Sequence, residues 1–214
     1  MVDQARSDLG VLETSANSGP KVDKMLREVG VNPPAPWCAA AVSWWMHRAS
    51  EETGIPAPIA GTAGSLSLRD QLQKAGRWID VKSIGDARTT LRPGMILVWK
   101  RADSTVRGHS ALLESVEDGT TLHTIEGNEG AASDGVYRMV RKTTNPLLLG
   151  AGWVDDPNAP RPNPAPTPTP NPSPNPSPAP PTNLSAASKV AAVAVGATVG
   201  VALALGIFRL QRGR

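Results

Sequence analysis

The chain carries one cysteine, Cys38, and three histidines, His47, His109 and His123. A thiol attacks carbonyl carbon as the thiolate, and imidazole is the side chain best matched to take its proton near neutral pH. Cys38 lies in the stretch PAPWCAAAVSWW. Behind it, Cys38, Ala41, Val42 and Trp45 fall at i, i+3, i+4 and i+7, which predicts a helix starting around Trp37 with Cys38 in its first turn. A helix start favours the thiolate through the dipole, and its unpaired backbone N–H groups suit an oxyanion. A buried, inert cysteine is the common alternative. The position at a helix start argues for the reactive one.

The candidate base is His109, because of its neighbours. The segment GHSALLESVEDGTTLHTIEGN reads as two strands joined at Asp118-Gly119, a strong signal for a two-residue hairpin loop. That loop sets Glu117 opposite Thr120, Leu113 opposite Thr124, Ala111 opposite Glu126 and His109 opposite Asn128. Side chains alternate along a strand, so His109, Glu126 and Asn128 share one face at the open end, while His123 and Ile125 take the other. A base needs a partner that fixes its tautomer, and Glu126 or Asn128 can supply it. His47 follows Cys38 on the same helix, off the apolar stripe, and is expected to face solvent. His123 and Glu126 fall on opposite strand faces, so no metal site is expected, nor any cofactor. One cysteine excludes an intrachain disulfide and a Cys-based zinc cluster. Trp37, Trp44 and Trp45 read as core, with Trp37 also a candidate substrate-binding wall beside Cys38.

Other elements must position these groups. GPKVDKMLREVGV has helical spacing and a stop at Gly30; Pro33, Pro34 and Pro36 then impose an extended approach to Cys38. A loop rich in Pro and Gly covers residues 54–64, and SLSLRDQLQKAG predicts a third helix. RWIDV and MILVWK read as strands, the second opened by a turn at Arg92-Pro93-Gly94. The expected fold class is α+β: N-terminal helices packed on an antiparallel sheet, within residues 1–156.

All six tryptophans precede Asp156, after which the composition changes. Five of the 22 Lys and Arg residues and none of the 19 acids lie in residues 157–214, leaving 17 bases against 19 acids in the domain. The pI near 9.3 is thus a property of the tail. A nucleic-acid partner is not expected, since the domain itself would have to be basic. Residues 157–188 alternate Pro with small polar residues and predict an extended linker, roughly 70–80 Å long in its Pro-rich part. Residues 189–209 predict a transmembrane helix. Their core, residues 190–208, is uncharged and would measure about 28 Å as a helix against a bilayer core of roughly 30 Å. Its expected partner is therefore a lipid bilayer, with Gly196 and Gly200 spaced for helix–helix self-association. Residues 210–214 form a basic tail. The positive-inside tendency puts this end in the cytoplasm and the domain on the cell-wall side or in a virion. The first ten residues, MVDQARSDLG, lack the apolar core of a secretory signal.

The motifs PWC, RPGMILVWK, GHSALLES and HTIEGN, in that order, resemble the CHAP domain, the cysteine, histidine-dependent amidohydrolase/peptidase family, over roughly residues 9–156. The resemblance implies a papain-like fold. It also implies a phage or bacterial enzyme that cleaves an amide or peptide bond of peptidoglycan. By motif, Cys38 matches the nucleophile, His109 the base, Glu126 the residue orienting it and Asn128 the accompanying polar residue. Met95 stands where many relatives carry an acid, and no Asp-rich calcium loop is present. The alternative is a non-catalytic module of the same fold, kept for binding or virion architecture and anchored by the tail.

Overall fold

Six strands form one antiparallel sheet in the order β1-β6-β2-β3-β4-β5. They are β1 (Trp78–Asp80), β2 (Ile96–Lys100), β3 (Gly108–Val116), β4 (Thr121–Glu129), β5 (Gly135–Lys142) and β6 (Leu148–Gly152). The helices are α1 (Val2–Ser7), α2 (Pro20–Glu28), α3 (Cys38–Thr53), α4 (Ser65–Lys74) and the short α5 (Ala87–Thr90). The computed structural model describes residues 1–105, 107–130 and 134–155. The expected linker, membrane span and basic tail lie outside the described residues. Among those described, no helix is long and apolar enough to cross a membrane.

The sheet is buried on both faces, which explains why β2 reads as a continuous apolar run. Ile96 and Val98, with Leu112, Ile125 and Val136, pack against the helices. Leu97 and Trp99, with Ala111, Leu113 and Leu122, form a second core under Ile84, Ala87 and Leu91. Helix α3 lies in the middle of the larger core. Cys38 through Ser43 are all buried, as are Trp45 and Met46, so its apolar surface is wider than the predicted stripe. Asp8 ties the surrounding helices to it: its carboxylate accepts from Trp45 Nε1 at 3.0 Å and pairs with Lys21 at 2.9 Å.

The hairpin of β3 and β4 departs from expectation at its turn. Leu113 pairs with Thr124 and Leu112 with Ile125, as the predicted register requires. Nearer the turn, Ser115 pairs with His123 and Val116 with Leu122, a slip of one residue at a bulge around Glu114. The connecting loop is longer than the two residues predicted. Asp118 closes it by accepting from the backbone N–H of Thr120 at 2.7 Å and of Thr121 at 2.6 Å. This Asx-type closure competes with the tight turn that the Asp-Gly pair signals. The bulge absorbs the extra length, so Leu113 and Leu112 keep their predicted partners.

Gly127 sets how closely β4 approaches α3. A Cβ there would sit 2.7 Å from Ala41 Cβ and 2.7 Å from Trp37 Cζ3. Both neighbours are fully buried, so neither has room to move. Gly127→Ala is therefore expected to destabilise the domain by about 1–3 kcal/mol through overpacking. The check is a lower denaturation midpoint with an unchanged slope; an unchanged midpoint would show that the α3–β4 contact is looser than described.

Candidate active site

The site forms where the first turn of α3 meets the open end of the β3–β4 hairpin. Cys38 is the first residue of α3, whose N-cap, Trp37, makes no side-chain cap. The first N–H groups of the helix have no acceptor within it. Cys38 Sγ lies 3.4 Å from Ser65 Oγ, the first side chain of α4, and Ser65 Oγ donates to Ser110 Oγ at 3.2 Å. The backbone N–H of Ser110 also acts on the sulfur. A thiolate at this point thus has the Ser110 amide as a donor, and the Ser65 hydroxyl once it turns from Ser110.

His109 is the second residue of β3 and pairs with Trp99 of β2. Their rings lie 6.1 Å apart between centroids. Nε2 of His109 donates to Glu126 Oε2 at 2.7 Å. That bond fixes the tautomer: in the neutral ring the proton sits on Nε2, and Nδ1 is left as an acceptor. Nδ1 is buried and makes no completed hydrogen bond. The Cys38 thiol is close enough to the ring for each to shift the other's proton affinity. A loose contact of this kind is common in a free site and tightens with substrate bound.

Glu126 has no solvent exposure. Besides His109 it accepts from Arg141 Nε at 2.8 Å and Nη2 at 2.6 Å, and from Thr124 Oγ1. Glu129 forms an outer layer, with a carboxylate oxygen 3.4 Å from His109 Nε2 and 3.3 Å from Arg141 Nη2. The guanidinium of Arg141 also lies over the Trp99 ring, 6.0 Å from its centroid.

Asn128 does not follow the alternation predicted for it. Its φ of 56° marks a break in the strand, and the β4–β5 register shifts between Gly127 and Glu129. Past the break, Glu129 reaches His109. Asn128 Nδ2 instead donates to Asn17 Oδ1 at 3.1 Å. Trp37 also departs from expectation. It is fully buried, its Nε1 donates to Glu13 Oε1 at 2.6 Å, and it supports α3 from within rather than lining a groove. His47 is held against Glu28 at 3.1 Å and is one-fifth exposed, less open than expected. His123 pairs with Glu117 at 2.9 Å, away from the site.

The electrostatics favour a charged pair. Burial would push the Cys38 thiol up, but the close polar contact and charge of His109, helped by Ser65 and the Ser110 amide, bring it down to about 7. Burial opposes a charged His109 as well, yet Cys38 and Glu126 carry it up to about 10. Burial would likewise raise Glu126, but Arg141 and then His109 hold it at about 2. Between about pH 7 and about pH 10 the state favoured is thiolate and imidazolium, with two apparent values that belong to the pair. The stability linked to Glu126 is present above its ordinary 4.5 and is lost as pH falls toward about 2. That linked to His109 is present below 6.5 and is lost as pH rises through about 10.

His109, Glu126 and Glu129 also present ligand-type atoms within 4.8 Å of one another. Arg141 Nη2 contacts both carboxylates, so the positive charge that such a cluster calls for is already supplied by a side chain. Ser65, Ser110, Thr124, Glu129 and Arg141 were not singled out from the sequence. Arg141 sits in an alternating strand, where an outward-facing cation is unremarkable. Ser65 reads as a helix start.

Residues 30–128 match a family model, the CHAP domain. The matched stretch includes Cys38, His109, Glu126 and Asn128; Glu129 and Arg141 lie just beyond it. Neither the curated proteins nor the solved structures compared with this chain include a match.

The buried carboxylate is expected to set the reactivity of the thiol. In Glu126→Gln the imidazolium loses its anionic partner, His109 falls toward its ordinary range and Cys38 rises. A carboxylate of this kind shifts a neighbour by about 1–3 pKa units, so alkylation of Cys38 by iodoacetamide at pH 7 should slow on the order of tenfold or more. An unchanged rate at pH 7, with the variant folded, would contradict this coupling.

Proposed function

Residues 30–128 of this chain are a CHAP domain, and from that premise we propose that the protein hydrolyses an amide or peptide bond of peptidoglycan with Cys38 as nucleophile. The family is of the peptidoglycan-hydrolase type, comprising amidases and peptidases. The observation that carries the proposal for this chain is the chain of contacts from Arg141 through Glu126 and His109 to Cys38. A module kept for binding alone has no chemical use for a lowered thiol beside a charged imidazole.

In this reading the Cys38 thiolate attacks the carbonyl carbon of the scissile amide. The oxyanion of the tetrahedral intermediate meets the uncapped N–H groups at the start of α3, aided by the dipole. His109, protonated at Nδ1, gives that proton to the departing amine, and a thioester to Cys38 remains. Water then enters, Nδ1 takes one of its protons, and the second tetrahedral intermediate collapses to the free acid and the Cys38 thiolate, which restores the ion pair with His109. Through both halves Nε2 stays bonded to Glu126, so the ring keeps its orientation while Nδ1 exchanges the proton. Asn128, which donates to Asn17, is the polar residue that accompanies the site in this reading.

The proposal includes attachment to a membrane through residues 190–208, with the Pro-rich segment as tether and the domain acting on the wall side or from a virion. It rests on the uncharged run and its flanking Lys189 and Arg209. A phage or bacterial lysin type fits the domain combined with such a tail.

Cys38→Ala is expected to abolish clearing of purified cell walls, a loss of at least about a thousandfold for a missing covalent nucleophile, while its thermal midpoint stays within a few degrees of wild type. Equal clearing by both proteins would overturn the hydrolase reading. Mass spectrometry of the released fragments identifies the bond: a new N-terminal L-alanine marks an amidase, and any other new amine an endopeptidase.

A further inference from the structure

One face of the site carries a charge pattern that the catalytic groups leave unexplained. A cavity of about 350 Å³ opens beside His109, walled by Trp99, Glu129 and Arg141 and rimmed by Lys100 and Arg101. A second of about 940 Å³ adjoins it, shares Lys100, Arg101, Asp103 and Leu147 as lining, and extends to Leu66 and Arg69. Together they make a groove leading away from the catalytic imidazole.

The charges along this groove do not cancel. Glu129 is paired with Arg141, Asp103 with Arg107 at 3.2 Å, and Arg69 with Asp70 at 2.6 Å. Lys100 and Arg101 are exposed and form no ion pair among the described residues. The domain as a whole has more acids than bases, so two uncompensated cations at the mouth of the site run against its average. In a concave, partly apolar setting such charges focus the field onto whatever enters. The floor supplies apolar surface at Leu66, Leu147 and Leu149. One further donor is present: the indole N–H of Trp99, a wall of the first cavity, is buried and has no acceptor among the described residues.

We infer that this groove binds a carboxylate of the substrate's peptide portion, with Lys100 and Arg101 as its counter-charges and the leucines against the adjoining aliphatic part. The inference rests on the peptidoglycan reading above and narrows it to substrates that carry a free carboxylate close to the scissile bond. Lys100 and Arg101 are then specificity determinants and take no part in bond breaking. Because the groove begins at His109, the charge they hold lies to one side of the nucleophile and sets the direction in which a peptide crosses it.

The test uses the full chain and the charge-reversed pair K100E/R101E. Cys38 is alkylated in parallel with iodoacetate and with iodoacetamide, which differ by one negative charge. The iodoacetate-to-iodoacetamide rate ratio is expected to fall on the order of tenfold in the variant at low salt. The iodoacetamide rate should hold, and the difference should shrink as salt is added. The neutral pair K100Q/R101Q should show the same change at smaller size. On wall-derived peptides, the variant should raise KM for the free-carboxylate form, leave kcat in place and leave the amidated form unaffected. An unchanged alkylation ratio, or equal losses on free and amidated peptides, would overturn the inference. If the ratio falls as expected while wild type cleaves no wall fragment, the groove stands and the hydrolase reading fails.

Discussion

A carboxylate with no exposure to solvent governs this structure. Burying the charge of Glu126 would be prohibitive without compensation, and the fold surrounds it with a bidentate guanidinium, an imidazole and a hydroxyl. Each partner is fixed in return. Arg141 is drawn in across β5, His109 is held in one tautomer, and the Cys38 thiol is left facing a ring that favours its ionised form. The reactivity of a sulfur on one element thus originates in a salt bridge between two strands. The lowered pKa of Glu126 and the raised pKa of His109 express the same compensation from its two ends.

This compensation works only if helix and sheet meet closely. The alanines after Cys38 and the bare backbone of Gly127 allow that approach, and the buried Trp37 fills the remaining space beside them. The helix is therefore placed by packing on every side, with Trp45 and Asp8 anchoring it to α1 and α2. A thiol so rigidly held would have little orientation entropy left to lose in the proposed attack.

Much of this arrangement is legible in the residues themselves. The apolar spacing from Cys38 to Trp45 marks a helix, and the alternation around Asp118-Gly119 marks a hairpin, because both patterns report burial directly. The proximity of Glu126 to His109 follows from the alternation of side chains along the two hairpin strands. The parts that could not be read depend on local backbone choices. Asp118 can satisfy backbone donors by itself, so the turn lengthens and a bulge compensates. Asn128 tolerates a left-handed conformation, which turns its side chain toward Asn17 and brings Glu129 to the site. Arg141 was hidden because its partner lies on another strand, and nothing in a local pattern distinguishes a cation that faces solvent from one that reaches a buried acid.

The central claim is that His109 and its buried carboxylate keep Cys38 ionised near neutrality. Since the chain has one cysteine, ultraviolet thiolate absorbance followed against pH, with Cys38→Ala as the blank, reports on this sulfur alone. The account predicts a transition centred near about 7 in the wild type. In His109→Ala the transition should move up into or beyond the ordinary thiol range, because burial is then unopposed by the imidazolium. A wild-type transition already in the ordinary range, or one that ignores the loss of His109, would contradict it.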